Sequence, residues 1–170
     1  MKKIIAFILI VFLSIYNYSS AKKYKFKLDP PFIIEQVRVA KQGTKFVKSW
    51  AVAKNADDAI IKAKQNVVAA ALFIGISPNH EMGAGVIPPL CSQGTKAYEE
   101  NKEYFDDFFK KGVFLKYVVD VNSTYPIGEN NLNTPQGRKV GVYLQLFYDD
   151  LRKRLIQDNI IKALGDQFKY

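Results

Sequence analysis

Residues 55–76, NADDAIIKAKQNVVAAALFIGI, constrain the fold more than any other stretch of the chain. Six alanines fall within sixteen positions of this segment. Its apolar residues recur at helical spacing, at Ala59, Ile60, Ala63, Val67, Ala70, Ala71 and Ile74. A face lined with alanine can approach a sheet closely, and an added methylene there is expected to cost about 1–3 kcal/mol by overpacking. The segment is therefore predicted to be a helix packed tightly on a sheet.

The ends of this helix are also marked in the sequence. Asn55 is a suitable N-cap, and Asp57 and Asp58 follow in the first turn, where the helix dipole favours negative charge. Gly75 can end the helix in a left-handed conformation.

The preceding segment, EQVRVAKQGTKFVKSWAVAK (35–54), alternates apolar and polar residues on either side of Gln42-Gly43-Thr44. This pattern predicts a β-hairpin. In its second arm Phe46, Lys48, Trp50 and Val52 share one face, and Val47, Ser49, Ala51 and Ala53 share the other. The second face is small enough to receive the helix.

The downstream half predicts two more strands and two more helices. Residues 98–111 have an aromatic helical face, and the helix is expected to stop at Gly112. VFLKYVVDV (113–121) and RKVGVYLQLFY (138–148) are predicted to pair antiparallel, with 122–137 as a flexible tip between them. A final helix is expected to begin with Asp149 or Asp150 as N-cap. Its apolar residues are Leu151, Leu155, Ile156, Ile160 and Leu164.

The predicted order ββααββα indicates an α+β domain of two layers, with an antiparallel sheet of about four strands and helices packed on one face. This single domain is expected to occupy residues 35–170. Residues 22–34 are basic and rich in aromatic residues and proline, so they are expected to form a flexible leader.

The amino terminus predicts export. Lys2 and Lys3 precede an apolar run over residues 4–16, and Ser19 and Ala21 have the small side chains of a cleavage site. Residues 1–21 are therefore interpreted as a signal peptide, which places the chain in the periplasm, in the medium or at the cell surface. No cysteine directly follows the apolar run, so no lipid anchor is expected there.

Charge and cysteine content narrow the classes of partner. The net charge is +9, and it is +7 without residues 1–21, which contain two lysines and no acid. Such basicity suits an anionic surface, whereas export argues against nucleic acid. Cys91 is the single cysteine, so an internal disulfide is excluded.

The long loop 76–96 is the first candidate for a binding surface, because extended loops in compact domains often carry function. His80 and Glu81 lie in it, together with Cys91. With no second histidine in the chain, a metal site or a Cys–His catalytic pair is not expected, and neither is a cofactor. Tyr125 in the tip is a further candidate binding residue.

Basic residues at the start of the last helix complete the candidate site. Arg152, Lys153 and Arg154 lie at the helix end where the dipole disfavours cations. They could bind an external anion, although local acidic partners or a solvated face would also explain them.

Residues 35–157 resemble a known family, and the resemblance lies in three segments: ADDAIIKAKQNVVAAAL, VFLKYVVDV and RKVGVYLQLFYDDLRKRL. The chain resembles the exported domain shared by small bacterial surface lipoproteins and the amino-terminal part of flagellar assembly protein T. It departs from the lipoprotein members by lacking the lipid-acceptor cysteine. The resemblance implies a non-enzymatic accessory or assembly role in the envelope and assigns no catalytic residue.

The main hypothesis is thus an exported, non-enzymatic module that binds an envelope or surface protein, or itself, through loops and an exposed strand edge. A hydrolase acting on an anionic envelope polymer is one alternative. Its candidate carboxylates are the adjacent pairs Asp106–Asp107 and Asp149–Asp150, which point about 100° apart on a helix and do not converge. A structural subunit of a phage particle is the other alternative.

Overall fold

Five antiparallel strands form the central sheet of the computed structural model, which describes residues 23–38, 41–121 and 125–163. The strands are β1 (Ile33–Arg38), β2 (Lys45–Ala53), β3 (Val118–Asp120), β4 (Asn131–Thr134) and β5 (Gly137–Leu146). Their order is β1-β2-β5, and β3 and β4 pair with opposite ends of the remaining edge of β5. The predicted α+β class and the order ββααββα are confirmed, with β4 as an additional strand.

The predicted hairpin is formed by β1 and β2, and the predicted orientation of the β2 side chains is confirmed. Its turn lies at residues 42–44, and Val47, Ser49 and Ala51 of β2 are buried on the side that faces the helices. Strand β5 continues this buried side. Its buried residues there are Val140, Val142, Leu144 and Leu146.

Helix α1 (Ala56–Phe73) packs on the buried side against β2 and β5. Asn55 is the N-cap, and its side-chain oxygen accepts a hydrogen bond of 2.9 Å from the Asp58 backbone amide. Gly75 follows the helix with φ of +84°, and a β-carbon there would lie 2.8 Å from the Ile87 carbonyl oxygen. Ile74, which was predicted to be part of the packed face, is instead 43% exposed.

The single helix predicted over 98–111 is in fact two, α2 (Thr95–Glu100) and α3 (Lys102–Lys110). Asn101 separates them with φ −119° and ψ +37°, and its side-chain amide donates to the Ala97 carbonyl. The aromatic face is buried as expected, and Gly112 ends α3 with φ of +75°.

The strand predicted over 113–121 is mostly wrong. Residues Val113–Lys116 form a 3₁₀ helix, and β3 covers three residues only. Phe114 and Tyr117 are buried three positions apart, which suits a 3₁₀ turn better than a strand. Part of the tip that was expected to be flexible forms β4, preceded by a 3₁₀ turn at Gly128–Asn130.

The last helix, α4, spans Tyr148–Gln157. The predicted N-cap is wrong, because Phe147 occupies that position and Asp149 and Asp150 lie in the first turn. Leu151 and Leu155 are buried as expected. Leu164 lies outside the described residues.

The segment before β1 differs from the expected flexible leader. Phe26 stacks on Phe109 with ring centroids 3.6 Å apart, and the buried Gln65 side chain donates to the Lys25 carbonyl at 2.9 Å. Ile33 and Ile34 belong to β1, so the sheet begins before residue 35. The predicted signal peptide, residues 1–21, lies outside the described residues. Within the part that the structure describes, no helix combines the length and hydrophobicity needed to cross a bilayer.

Candidate functional site

The candidate site is the face of the sheet opposite the helices. Alternate residues of β2 and β5 point to this side, and no helix of the described residues packs against it. Six side chains define what we call the aromatic–basic face. They are the rings of Phe46, Trp50 and Tyr143 and the cations of Arg38, Lys48 and Lys139.

Each ring of this face lies beneath a cation. The Arg38 guanidinium carbon is 4.0 Å from the Phe46 centroid. The Lys48 ammonium is 4.6 Å from the ring of Trp50 and 5.0 Å from that of Tyr143, so it joins the two strands. The Lys139 ammonium is 5.1 Å from the Trp50 ring. Contacts of this kind hold a cation in place while leaving its charge uncompensated.

Gly141 shapes the centre of the face. It is the register partner of Trp50, and a β-carbon at Gly141 would lie 2.8 Å from the indole ring. The absence of a side chain therefore allows the indole to lie flat on the backbone of β5.

The electrostatics of this face are dominated by its cations. Among the described residues, none of the three forms an ion pair. The described strands contain two acidic residues. Glu35 is the register partner of Lys48, whereas Asp120 pairs with Lys64 of α1 at 2.5 Å on the helix side.

Aliphatic side chains surround the aromatic–basic face. Ile33 of β1 is 56% exposed and Leu132 of β4 is 43% exposed, and both follow the alternation that points them to this side. Val119 and Val121 are also exposed at the β3 edge. Val121 also borders a cavity of about 310 Å³; its other lining residues are Val37, Arg38, Phe46, Val47, Tyr143 and Leu144.

The loop predicted over 76–96 to be the first binding surface is shorter than expected, because Thr95 and Lys96 belong to α2. Its residues 76–87 fold as a small hairpin with antiparallel bridges between Ile76 and Ile87 and between Asn79 and Ala84. Gln36 of β1 fixes it by donating to the carbonyls of Ser77 and Gly85, each at 2.7 Å. In return Asn79 donates to the Gln36 carbonyl at 2.7 Å, so the loop covers part of the β1 edge.

The candidate residues of this loop lie at its turn, where His80 and Glu81 are both exposed. The thiol of Cys91, by contrast, is buried, and desolvation raises its pKa to about 11. Cys91 is therefore protonated at neutral pH and has the character of a core residue.

The other candidate residues lie apart from this turn. Lys153 pairs with Asp150 at 3.1 Å, and Arg154 pairs with Asp158 at 2.6 Å, so local acids account for two of the three basic residues at 152–154. Arg152 forms no ion pair with a described residue. Tyr125 is 51% exposed, and desolvation together with the nearby Asp57 raises its pKa.

No hydrogen bond or ion pair within the described residues connects these candidates to one another. The structure therefore places the residues at the loop turn, on α4 and beside Asp57 at the start of α1, without assembling them into one site.

Three of the four carboxylates considered for hydrolysis, Asp106, Asp107 and Asp150, form ion pairs with lysines of the chain. Asp106 accepts hydrogen bonds from Lys102, Lys110 and Tyr98, which lower its pKa far below the usual range. Asp107 pairs with Lys111 at 2.6 Å. In the described part of the chain, no group of three or more His, Cys, Asp or Glu side chains could hold a metal ion.

The comparisons with known proteins add no assignment. No protein-family model matches the chain, and neither a curated protein nor a solved structure matches it significantly. The resemblance to the lipoprotein and flagellar assembly domain therefore stays a prediction.

The aromatic–basic face itself was not predicted as a site. The sequence places Phe46, Lys48 and Trp50 on one face of β2, and Tyr143 and Lys139 alternate with the buried residues of β5. The antiparallel register, with Lys48 opposite Tyr143 and Trp50 opposite Gly141, is what joins them. The available signal was the repeated placement of aromatic and basic residues at the non-core positions of two strands.

Proposed function

We propose that this protein is an exported, non-enzymatic binding or assembly module, and that it contacts an envelope or surface protein, or a second copy of itself, through the aromatic–basic face. The observation that carries the proposal is a sheet face that is packed by no described helix and displays Trp50, Tyr143 and Arg38. Trp, Tyr and Arg are the residue types most enriched at interface hot spots.

Site chemistry favours binding over catalysis. Asp106, the most perturbed acid, is held charged by three donors, which suits a structural role better than proton transfer. The Cys91 thiol is buried and protonated. No specific observation favours the hydrolase or the phage subunit.

Site-directed photocrosslinking tests the contact. A benzoylphenylalanine at Val52, on the same side of β2 as Trp50, is compared with one at Glu99, exposed on α2. In the cells that encode the protein, the probe at Val52 should give a defined adduct with another protein or a second copy, and the probe at Glu99 should not. The adduct should disappear in a Lys48→Ala, Trp50→Ala double variant that retains its thermal unfolding transition. Equal labelling from both positions, or none from Val52, would refute the proposal.

Export has its own test. The mass of the chain recovered from the periplasm or the medium should correspond to a protein that begins at Lys22. An intact amino terminus in the cytoplasmic fraction would contradict this part of the proposal.

A further inference from the structure

We infer that the partner of the aromatic–basic face is an acidic protein surface that also presents apolar side chains. This inference rests on the proposed function and adds the chemistry of the partner. None of the three cations on this face forms an ion pair with a described residue, and each lies over a ring.

The cations are already held in position for carboxylates. Lys48 lies within 5.0 Å of two ring centroids, and Lys139 lies within 5.1 Å of one of the same rings. Their ammonium groups therefore lose less side-chain freedom on binding than free lysines would. Their N–H donors suit the carboxylates of Asp and Glu, and charge-assisted hydrogen bonds of this kind are the stronger ones.

The aliphatic surroundings select a protein rather than a glycan or a nucleic acid. Ile33, Leu132 and Val119 border the cations and are all exposed. A polysaccharide or a sugar–phosphate backbone has no apolar side chains to bury against them, whereas a protein surface can present acidic and apolar side chains side by side. Acidic and apolar groups therefore have to occur together on the partner.

A second copy of this chain fits the face less well. Many of its described acids are already paired with its own lysines and arginines, including Asp106, Asp107, Asp120, Asp150 and Asp158. The chain as a whole is strongly basic. Two copies would thus bring cations towards cations, which opposes association.

Binding to the aromatic–basic face can be measured by the fluorescence of Trp50. This residue is the single tryptophan of the chain, so emission excited at the red edge of the indole band reports on this face. The probes are polyglutamate and a random copolymer of glutamate and tyrosine of matched length. Polygalacturonate and oligothymidylate serve as the glycan and nucleic-acid probes.

The copolymer should bind about tenfold more tightly than polyglutamate, because its rings add apolar contact to the charge. Lys48→Ala and Lys139→Ala should each weaken copolymer binding severalfold. Gly141→Ala should weaken it too and change the Trp50 emission, because the new methyl group displaces the indole. Lys116→Ala, which removes an exposed cation outside the face, is the charge-matched control and should leave affinity unchanged.

The inference would be overturned if the two polymers bound with equal affinity, or if polygalacturonate or oligothymidylate bound more tightly than the copolymer. It would also be overturned if the three variants bound the copolymer as tightly as the unaltered protein, or if no probe bound. Self-association of the purified protein that is abolished by Lys48→Ala would overturn the inference as well, because the partner would then be a second copy. If the Val52 photoadduct still forms in any of these cases, the proposed function is retained and only the inference of an acidic partner is rejected. If that photoadduct is also absent, both the inference and the proposed function are rejected.

Discussion

Ser49 is an exception among the buried residues of β2. Its side chain is fully buried on the helix side, and its hydroxyl has no hydrogen-bond partner among the residues that the structure describes. A buried polar group without a partner costs about 1–3 kcal/mol. Ser49→Ala is therefore expected to leave the free energy of unfolding in urea unchanged or to raise it by about 1 kcal/mol. Ser77→Ala, at an exposed position, should have no effect; a clear loss of stability in Ser49→Ala would reveal a partner for the hydroxyl.

Burial of Cys91 is expected to make the stability of the protein decrease at alkaline pH. Burial raises the pKa of its thiol to about 11, above that of an unfolded cysteine, so folding favours the protonated form. The resulting stability is complete below about pH 9, the ordinary pKa of a cysteine thiol, and is lost as the pH rises towards 11. Burial also raises the pKa of Tyr98, Tyr104 and Tyr148, which adds to the same trend.

The free energy of unfolding should accordingly fall between pH 9 and pH 11, and it should fall less steeply in Cys91→Ala. Urea titrations at several pH values measure both slopes. Because each pKa unit is worth about 1.4 kcal/mol, the thiol accounts for at most about 3 kcal/mol of the difference. Parallel slopes in the two proteins would show that the thiol is not desolvated in the folded state.

At the scale of elements, α1 depends on the size of its alanines. Ala63 is fully buried where α1 packs on the sheet. Ala63→Leu should lower the free energy of unfolding by about 1–3 kcal/mol, because the added methylenes cannot fit without displacing the sheet. Lys62→Leu, one position away and exposed, is the matched control and should change stability by less than about 0.5 kcal/mol. Equal effects of the two changes would mean that the helix does not pack closely at Ala63.

Gln36 connects a second pair of elements, β1 and the 76–87 hairpin. Its side-chain amide donates to two loop carbonyls, so Gln36→Glu removes both donors and places a carboxyl oxygen against carbonyl oxygens. Amide hydrogen exchange within 76–87 should accelerate strongly in Gln36→Glu and less in Gln36→Ala. Exchange in α1 should stay slow in both variants, and an unchanged loop would contradict this role of Gln36.

The sequence predicted those elements whose local pattern and packing agree. The predictions for the N-cap at Asn55, for the helix end at Gly75 and for the alternation of β2 depend on short local patterns, and all three are confirmed. The strand predicted over 113–116 is wrong because Val113 and Phe114 favour a strand locally. The burial of Phe114 and Tyr117, three positions apart, suits the 3₁₀ turn that forms instead. The aromatic–basic face depends on the register of β2 with β5, and no single segment encodes that register.

At the scale of the molecule, the two sides of the sheet differ in how they are packed. Its helix side holds the buried core, and its other side holds the three cations and three rings of the aromatic–basic face. Substitutions at Lys48 or Lys139 should therefore change binding with little change in stability, which is what makes them informative in the tests above. The packing of the helix side also includes the segment before β1.

This segment is expected to be an integral part of the fold. Phe26 stacks on Phe109 of α3, and Gln65 of α1 donates to the Lys25 carbonyl, so residues 23–32 bridge two helices. Phe26→Ala should lower the free energy of unfolding in urea by about 1–3 kcal/mol, through lost apolar burial and the lost ring contact. Lys23→Ala, at an exposed neighbouring position, should not. If Phe26→Ala unfolds at the same urea concentration as the unaltered protein, the segment is a flexible leader after all, and the domain begins at β1.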